Sequence, residues 1–373
     1  MKRIASVLAP VAVVVSAAAC TACSGAAQKT YSSAGFAAAA RSEAAPIVGE
    51  GTVILLRDRS IDAMAVSRRF LVWAALGARD PDPLLMQRDL ETGKVEQLRA
   101  EMLPQLGLAV SPTWAVFGSS GAPAELVALR HEGSDRTVLS EALIAPIDSR
   151  GTLVAWAEGD ETEQRVLVRE MESGREWLAA RMPRCIGGRC YRIDKVTLAD
   201  RGVVFSRGAV GPHPSLIVRR GFDDARPATI SVPNDPQPDL ILSSAGAFYY
   251  QFGRGWMRWD FGQARPRPAG VRDQGGEPFP IAFDRGRLLL VHHVRCTSTL
   301  LVRDGGRISR RIAPPRSTRY SPTEFGPLCR ELSSLFWAGQ KLLVAWSVVP
   351  KLSLDSHTSV GLVGVAHAVS TRG

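Results

Sequence analysis

Seven times along this chain a short apolar segment runs into a turn, and a second apolar segment follows at once. The clearest copy is Ile147 to Ala157 (IDSRGTLVAWA). Related copies begin at Val66 (VSRRFLVWA), Val110 (VSPTWAVFG), Leu198 (LADRGVVFS), Leu242 (LSSAGAFYYQF), Ile281 (IAFDRGRLLLV) and Leu335 (LFWAGQKLLVAW). Two strand-like runs joined by a tight turn are the signature of a β-hairpin. No amphipathic helix of more than a few turns can be read between the copies, so the chain is expected to be all-β.

The first residues after the turns are Phe70, Trp114, Thr152, Val203, Ala247, Arg287 and Lys341, spaced about 38 to 54 residues apart. That interval matches a four-stranded propeller blade. Most copies also carry a second half. In the first, Pro83 to Asp89 reads as a strand, Glu91-Thr92-Gly93 as a turn and Lys94 to Leu98 as a strand; Arg165 to Glu170 with Arg175 to Ala179, and Thr299 to Arg303 with Arg307 to Ile312, repeat the plan. The last copy supplies three strands, Ser333 to Trp337, Lys341 to Val348 and Val360 to Ala368, and Thr52 to Asp58 is left over at the other end. A propeller must cover its open sheet edges, and a strand from the other terminus does so. The expected fold is a seven-bladed β-propeller over residues 50–373, closed by that N-terminal strand.

Ahead of the propeller the texture differs. Lys2 and Arg3 precede an apolar run from Ile4 to Val15, and small residues lead to Cys20. This is the order of an export signal, expected over residues 1–19. The run is too short and small-sided for a comfortable membrane span. Ala17-Ala18-Ala19-Cys20 resembles a bacterial lipobox, which implies acylation of Cys20 and a chain lipid-anchored in the cell envelope, outside the cytoplasm. It departs from the usual pattern at Ala17, where leucine is common. Acylation at Cys23 and plain cleavage after Ala19 stay open beside it. Residues 20–49, rich in Ala, Ser and Gly, read as a flexible tether that packs against nothing.

Export governs how the other cysteines are read. Cys185, Cys190, Cys296 and Cys329 are an even set in an oxidising compartment, which favours disulfides. Cys185-Ile-Gly-Gly-Arg-Cys190 sets two of them across a loop that its glycines can turn tightly, and Cys296 with Cys329 follows by elimination. The two longest intervals between copies hold these cysteines, as though lengthened blades were stapled.

Candidates for chemistry are few. His292 and His293 are adjacent on a strand and so face opposite sides, which argues against one shared metal. Asp148, Asp200 and Asp284 recur at one turn position and are expected to cap their own turns. Tyr249, Tyr250, Trp256 and Trp259 have the alternation of interblade core. No cofactor or metal is expected. The net charge of +10 comes from arginines scattered through strands and turns, with no dense basic run for nucleic acid or lipid.

Asp89-Leu-Glu-Thr-Gly-Lys94 and Met171-Glu-Ser-Gly-Arg-Glu-Trp177 are similar to the D-x-x-T-G turns of TolB-like and quinoprotein-like exported propellers. The resemblance covers roughly residues 50–370 and implies the fold, while such folds host many functions. The adjacent cysteines and calcium-binding carboxylates of a quinone-dependent dehydrogenase are not found. The expected function is a monomeric, non-enzymatic envelope lipoprotein that binds a protein or glycan partner. A carbohydrate-active hydrolase or lyase on the same scaffold is the alternative.

Overall fold

The structure is a computed structural model that describes residues 35–36, 53–58, 63–76, 83–101, 106–119, 121, 123–133, 135–209, 214–232, 240–243, 246–251, 253–270, 279–284, 287–294, 297–304, 307–313, 328–338, 341–350 and 363–370. Cys20, Cys23, Cys296, the leader and most of the 20–49 stretch lie outside the described residues. So does the side chain of Cys329, and with it the expected Cys296–Cys329 bridge.

Among the described residues, antiparallel strands follow one another as seven meanders. The first runs Ala63–Val66, Phe70–Leu76, Pro83–Asp89 and Val95–Glu101; the second runs Leu108–Val110, Trp114–Gly118, Ala124–Arg130 and Arg136–Leu143. The third is Asp148–Arg150, Leu153–Gly159, Glu163–Glu170 and Glu176–Pro183. The fourth is Arg189–Ala199, Gly202–Ala209, Ser215–Gly221 and Ala228–Val232, preceded by the short strand Cys185–Ile186. Leu240–Ser243, Gly246–Gln251, Gly255–Asp260 and Arg267–Pro268 form the fifth, and Phe279–Asp284, Arg287–Val294, Thr297–Asp304 and Arg307–Ile312 the sixth. The last joins Leu328–Ala338, Lys341–Pro350 and Val363–Ser370 to Val53–Asp58 from the far end of the chain.

That final pairing is antiparallel, from Val53 opposite Ala368 to Asp58 opposite Gly364, with an irregularity between Ile54 and Leu56. The strand left over in the sequence therefore completes the last meander. The inner strand of each of the first five meanders also lies beside that of the next, Thr297–Asp304 of the sixth pairs with Leu328–Ala338 of the last, and Leu328–Ala338 lies beside Ala63–Val66 of the first. The architecture is a β-propeller.

Its stability resides between meanders. Second strands such as Leu153–Gly159 and Gly202–Ala209 are buried almost throughout, because both of their faces meet a neighbouring sheet. Outer strands are more open: Glu176–Pro183 buries only Trp177 and Ala179, and Arg307–Ile312 buries only Ile312. The junction of the first and second meanders packs Phe70, Val72, Leu85, Phe117 and Val127, and that of the fourth and fifth packs Val204, Ile217, Tyr249 and Trp259. Each such side chain contributes about 1.5–3 kcal/mol on full burial. Backbones also run close. A Cβ added at Gly202 would run into the carbonyl oxygen of Arg220 on the next strand, so this position admits no side chain without prising the pair apart.

The tether expectation is corrected at one residue. Phe36 is fully buried in the junction of the third and fourth meanders, its ring 6.2 Å from Trp177 and 5.9 Å from Phe222. The Arg175 guanidinium lies 5.7 Å above the ring, so one aromatic from a stretch rich in small residues docks as part of the core.

Candidate functional site

Most polar side chains singled out by the sequence hold the propeller together. Asp89 caps its turn as the D-x-x-T-G pattern suggests, one oxygen accepting from the Glu91 and Thr92 amides at 2.8 and 3.2 Å. Its other oxygen takes the Arg69 guanidinium at 2.9 Å, which holds the carboxyl below its usual range. Arg69 also reaches Glu132 of the second meander at 2.8 Å. In the third meander Glu170 stands in for the aspartate, accepting from the Ser173 amide at 2.6 Å.

Asp148 and Asp200 depart from the expectation that each caps only its own turn. The Asp148 carboxylate accepts from the Leu198 amide at 2.8 Å, one meander away. Asp200 pairs with Arg150, again across the third and fourth meanders. The inner strands of these two sheets neighbour each other, so the nearest unsatisfied donors belong to the adjacent sheet. Burial pushes the Asp148 carboxyl up to about 6. The side chain of Asp284 lies outside the described residues.

His292 and His293 sit side by side on Arg287–Val294; His292 is half-buried, while His293 is exposed and hydrogen-bonded with Ser298 at 2.8 Å. Tyr249, Trp256 and Trp259 are buried between sheets as expected, with Phe248 stacked on Trp256 at 5.3 Å. Burial pushes the Tyr249 hydroxyl up to about 12. Cys185 and Cys190 form a disulfide between facing residues of a hairpin, with Ile186 opposite Arg189. Gly187 and Gly188 make its turn with φ of 57° and 77°, a left-handed pair that glycine alone adopts without strain.

Two features escaped the sequence reading. His131 is buried between the first two meanders, stacked on Phe70 at 4.1 Å, with Nδ1 2.6 Å from Gln87 Oε1 and Nε2 2.9 Å from the Ser111 carbonyl. Gln87 commits its amide NH2 to Glu96 and to the His131 carbonyl, which fixes Oε1 toward the ring. Burial lowers the His131 pKa. A histidine ending an apolar strand (AELVALRH) carries no motif, so only the fold shows its partners.

The second is a cleft of about 430 Å³ between the outer part of the third meander and the fourth. Leu178, Ala180 and Met182 wall one side, and Phe205, Leu216 and Val218 the other. Ile186, about half exposed at the tip of the disulfide hairpin, stands at its edge. Arg207 and Arg220 join the same wall through the two-residue periodicity of Gly202–Ala209 and Ser215–Gly221. Arg207 is 3% exposed, donates to the Pro183 carbonyl at 2.7 Å and lies 5.0 Å over the Tyr191 ring. Arg220 lies 6.0 Å over Trp177. The Nε of each is buried with no acceptor.

No protein-family model matches the chain, and no curated protein does. Its backbone is similar to that of a prolyl endopeptidase (TM-score 0.53, 10% identity, 86% of this chain and 49% of that one). It is also similar to the β-propeller domain of the Trilobed protease from Pyrococcus furiosus (TM-score 0.50, 9% identity, 79% of this chain and 90% of that domain). A third likeness is to the acylaminoacyl peptidase of Pyrococcus horikoshii (TM-score 0.50, 8% identity, 77% of this chain and 50% of that one). These are likenesses of fold, and the chain spans about half the length of the two longer peptidases.

Proposed function

We propose that the chain is an exported cell-envelope lipoprotein, acylated at Cys20 and stapled by a second disulfide between Cys296 and Cys329. Its seven meanders are the blades of one closed ring that acts, without catalysis, as a binding or scaffold module for a protein or glycan partner. The observation that supports this reading is the use made of the carboxylates. Asp148 and Asp200 tie the third blade to the fourth, Asp89 and Glu170 cap turns, and Glu158 accepts from Trp156 at 3.2 Å and pairs with Arg165 at 2.8 Å. General acid–base chemistry needs such groups aimed at a substrate, whereas these are aimed at the protein's own backbone and cations. Incubating the purified chain with envelope polysaccharides tests the reading. Retention on the polymer, or on a partner protein, without new reducing or unsaturated ends is expected; released fragments would replace it with a hydrolase or lyase. Labelled palmitate should enter the wild type and be lost in Cys20→Ser, and a wild type that takes none overturns the anchor.

A further inference from the structure

The bridge between Cys185 and Cys190 is badly placed to stabilise the propeller. It joins residues five positions apart on facing strands of a hairpin that Gly187 and Gly188 already turn. A crosslink removes less chain entropy from the unfolded state the shorter the loop it closes, so little is gained here. The bridge is also open to attack. Cys185 through Arg189 are exposed, Cys190 is half-buried, and Cys185–Ile186 is an edge strand pairing only with Arg189–Ala199. Its surroundings are cationic. Arg184 and Arg189 adjoin the two cysteines in sequence, and the exposed Arg192 shares a strand face with Cys190. The 160–163 turn lies against the hairpin, the Arg184 amide donating to the Thr162 carbonyl at 2.8 Å. Its carboxylates are largely committed: Asp160 accepts from the Thr162 and Glu163 amides, and Glu163 pairs with Arg181. That leaves Glu161, and the half-buried Asp194 two positions along from Arg192, against three guanidiniums that form no ion pair among the described residues.

We infer that Cys185–Cys190 is a thiol–disulfide exchange site whose co-substrate is a protein dithiol. Cations beside a cysteine favour its thiolate, and a stable thiolate leaves a disulfide readily. One thiol of the partner loses its proton to solvent and attacks the exposed Sγ of Cys185. A bond forms between those two sulfurs, the Cys185–Cys190 bond breaks, and its electron pair leaves on the Cys190 Sγ, among Arg184, Arg189 and Arg192. The partner's second thiol, also deprotonated, then displaces Cys185. The partner departs as a disulfide, and the hairpin keeps the electron pair, with protons returning from solvent to its two sulfurs. Ile186, about half exposed at the tip, offers the partner an apolar contact beside the reacting sulfur. Each hairpin is reduced once, so the propeller carries a redox state without becoming a catalyst.

Reduction of the native chain by dithiothreitol at neutral pH, quenched with a labelled alkylating agent and mapped by peptide mass, provides the test. Label is expected on Cys185 and Cys190 while the near-ultraviolet circular dichroism stays native. With glutathione as the sole thiol, trapped intermediates should carry glutathione on Cys185 and label on Cys190. Replacing the three arginines together, Arg184→Gln, Arg189→Gln and Arg192→Gln, should slow reduction about tenfold and raise the pH at which reduced Cys190 is half-alkylated, because its thiolate loses the cations beside it. Should that variant fold poorly, Arg189→Gln alone, at an exposed turn position, should move both readouts the same way by a smaller amount. A bridge that yields only after denaturant has unfolded the chain overturns the exchange site. Glutathione on Cys190 instead overturns the direction of attack, and rates and pH profiles unchanged in both variants overturn the role of the arginines. None of these results bears on the polysaccharide or palmitate experiments, so this inference and the proposed function fail separately.

Discussion

The first two blades and the third and fourth meet in different ways. At the first junction the gap between apolar side chains is closed by His131, Gln87 and Ser111, a polar group whose members answer one another within the core. At the other, the bulk is supplied by rings, Trp177, Phe222 and the incoming Phe36, and the polar members Arg207 and Arg220 are left facing a cavity. Both junctions bury aromatic and aliphatic residues on the same two-residue period. The difference lies in the partner each polar group is given: the imidazole and amide of the first junction answer each other, whereas at the second Arg207 has a carbonyl and a ring rather than a carboxylate. Where donors and acceptors match, the interface closes; beside the two arginines a cavity remains.

The largest expected effect comes from the borrowed ring. Phe36→Ala should cost about 3–5 kcal/mol, the range for emptying a buried phenylalanine site, read as a shift of the denaturant midpoint. Deleting residues 20–48 should cost as much, and a deletion that leaves stability untouched would break the account of this junction. Next is His131→Leu, which strands the Gln87 and Ser111 oxygens and should cost about 2–3 kcal/mol. Adding Gln87→Leu should recover part of that loss, and a fully additive double mutant would show that the two residues do not act together.

Acidity should move the two junctions in opposite directions. For Asp148 the folded state holds its proton up to about pH 6, above the ordinary carboxyl value near 3.8. Its stabilising contribution is therefore present in acid and is lost as pH rises through 6, by about 3 kcal/mol. For His131, whose folded pKa is lowered by burial, the unfolded chain takes the proton first. That contribution is present above about pH 6.5 and is lost as pH falls further. Denaturation curves from pH 4 to 7 should flatten on their upper flank in Asp148→Asn and on their lower flank in His131→Gln. The smallest effect is expected at the disulfide hairpin. Reducing Cys185–Cys190 frees a short loop already turned by two glycines, so a loss of about 2 kcal/mol or less is expected, seen as faster amide exchange confined to residues 184–191.

How far each junction could be read in advance follows from its chemistry. Hairpins announce themselves locally: the strands Pro83–Asp89 and Arg307–Ile312 fall at the limits read from sequence, because alternation and turn glycines are written in consecutive residues. The closing strand was legible for a related reason, a strand at one end and a vacancy at the other. Phe36 was not, being one aromatic amid alanines with no period to place it. Arg207 carries no mark of its own among the scattered arginines, yet it continues the Val203, Phe205 face of a buried strand. Only the neighbouring sheet decides whether that face meets water, a carboxylate or a cavity. The Asp148 and Asp200 partners were missed likewise, since a turn aspartate looks local until an adjacent blade offers its amide.

The pairing of Val53–Asp58 with Val363–Ser370 has a consequence in time. A ribosome makes the first of these strands about 300 residues before the second, a wait of roughly 15–60 s at ordinary synthesis rates. Through that interval the earlier strand has no ladder to join, and the last meander lacks its outer edge. Every other meander can form as soon as its own four strands have emerged. The chain is therefore built as a row of finished sheets and becomes a ring in one late step. The moment of greatest exposure to edge-to-edge aggregation comes just before its final residues arrive.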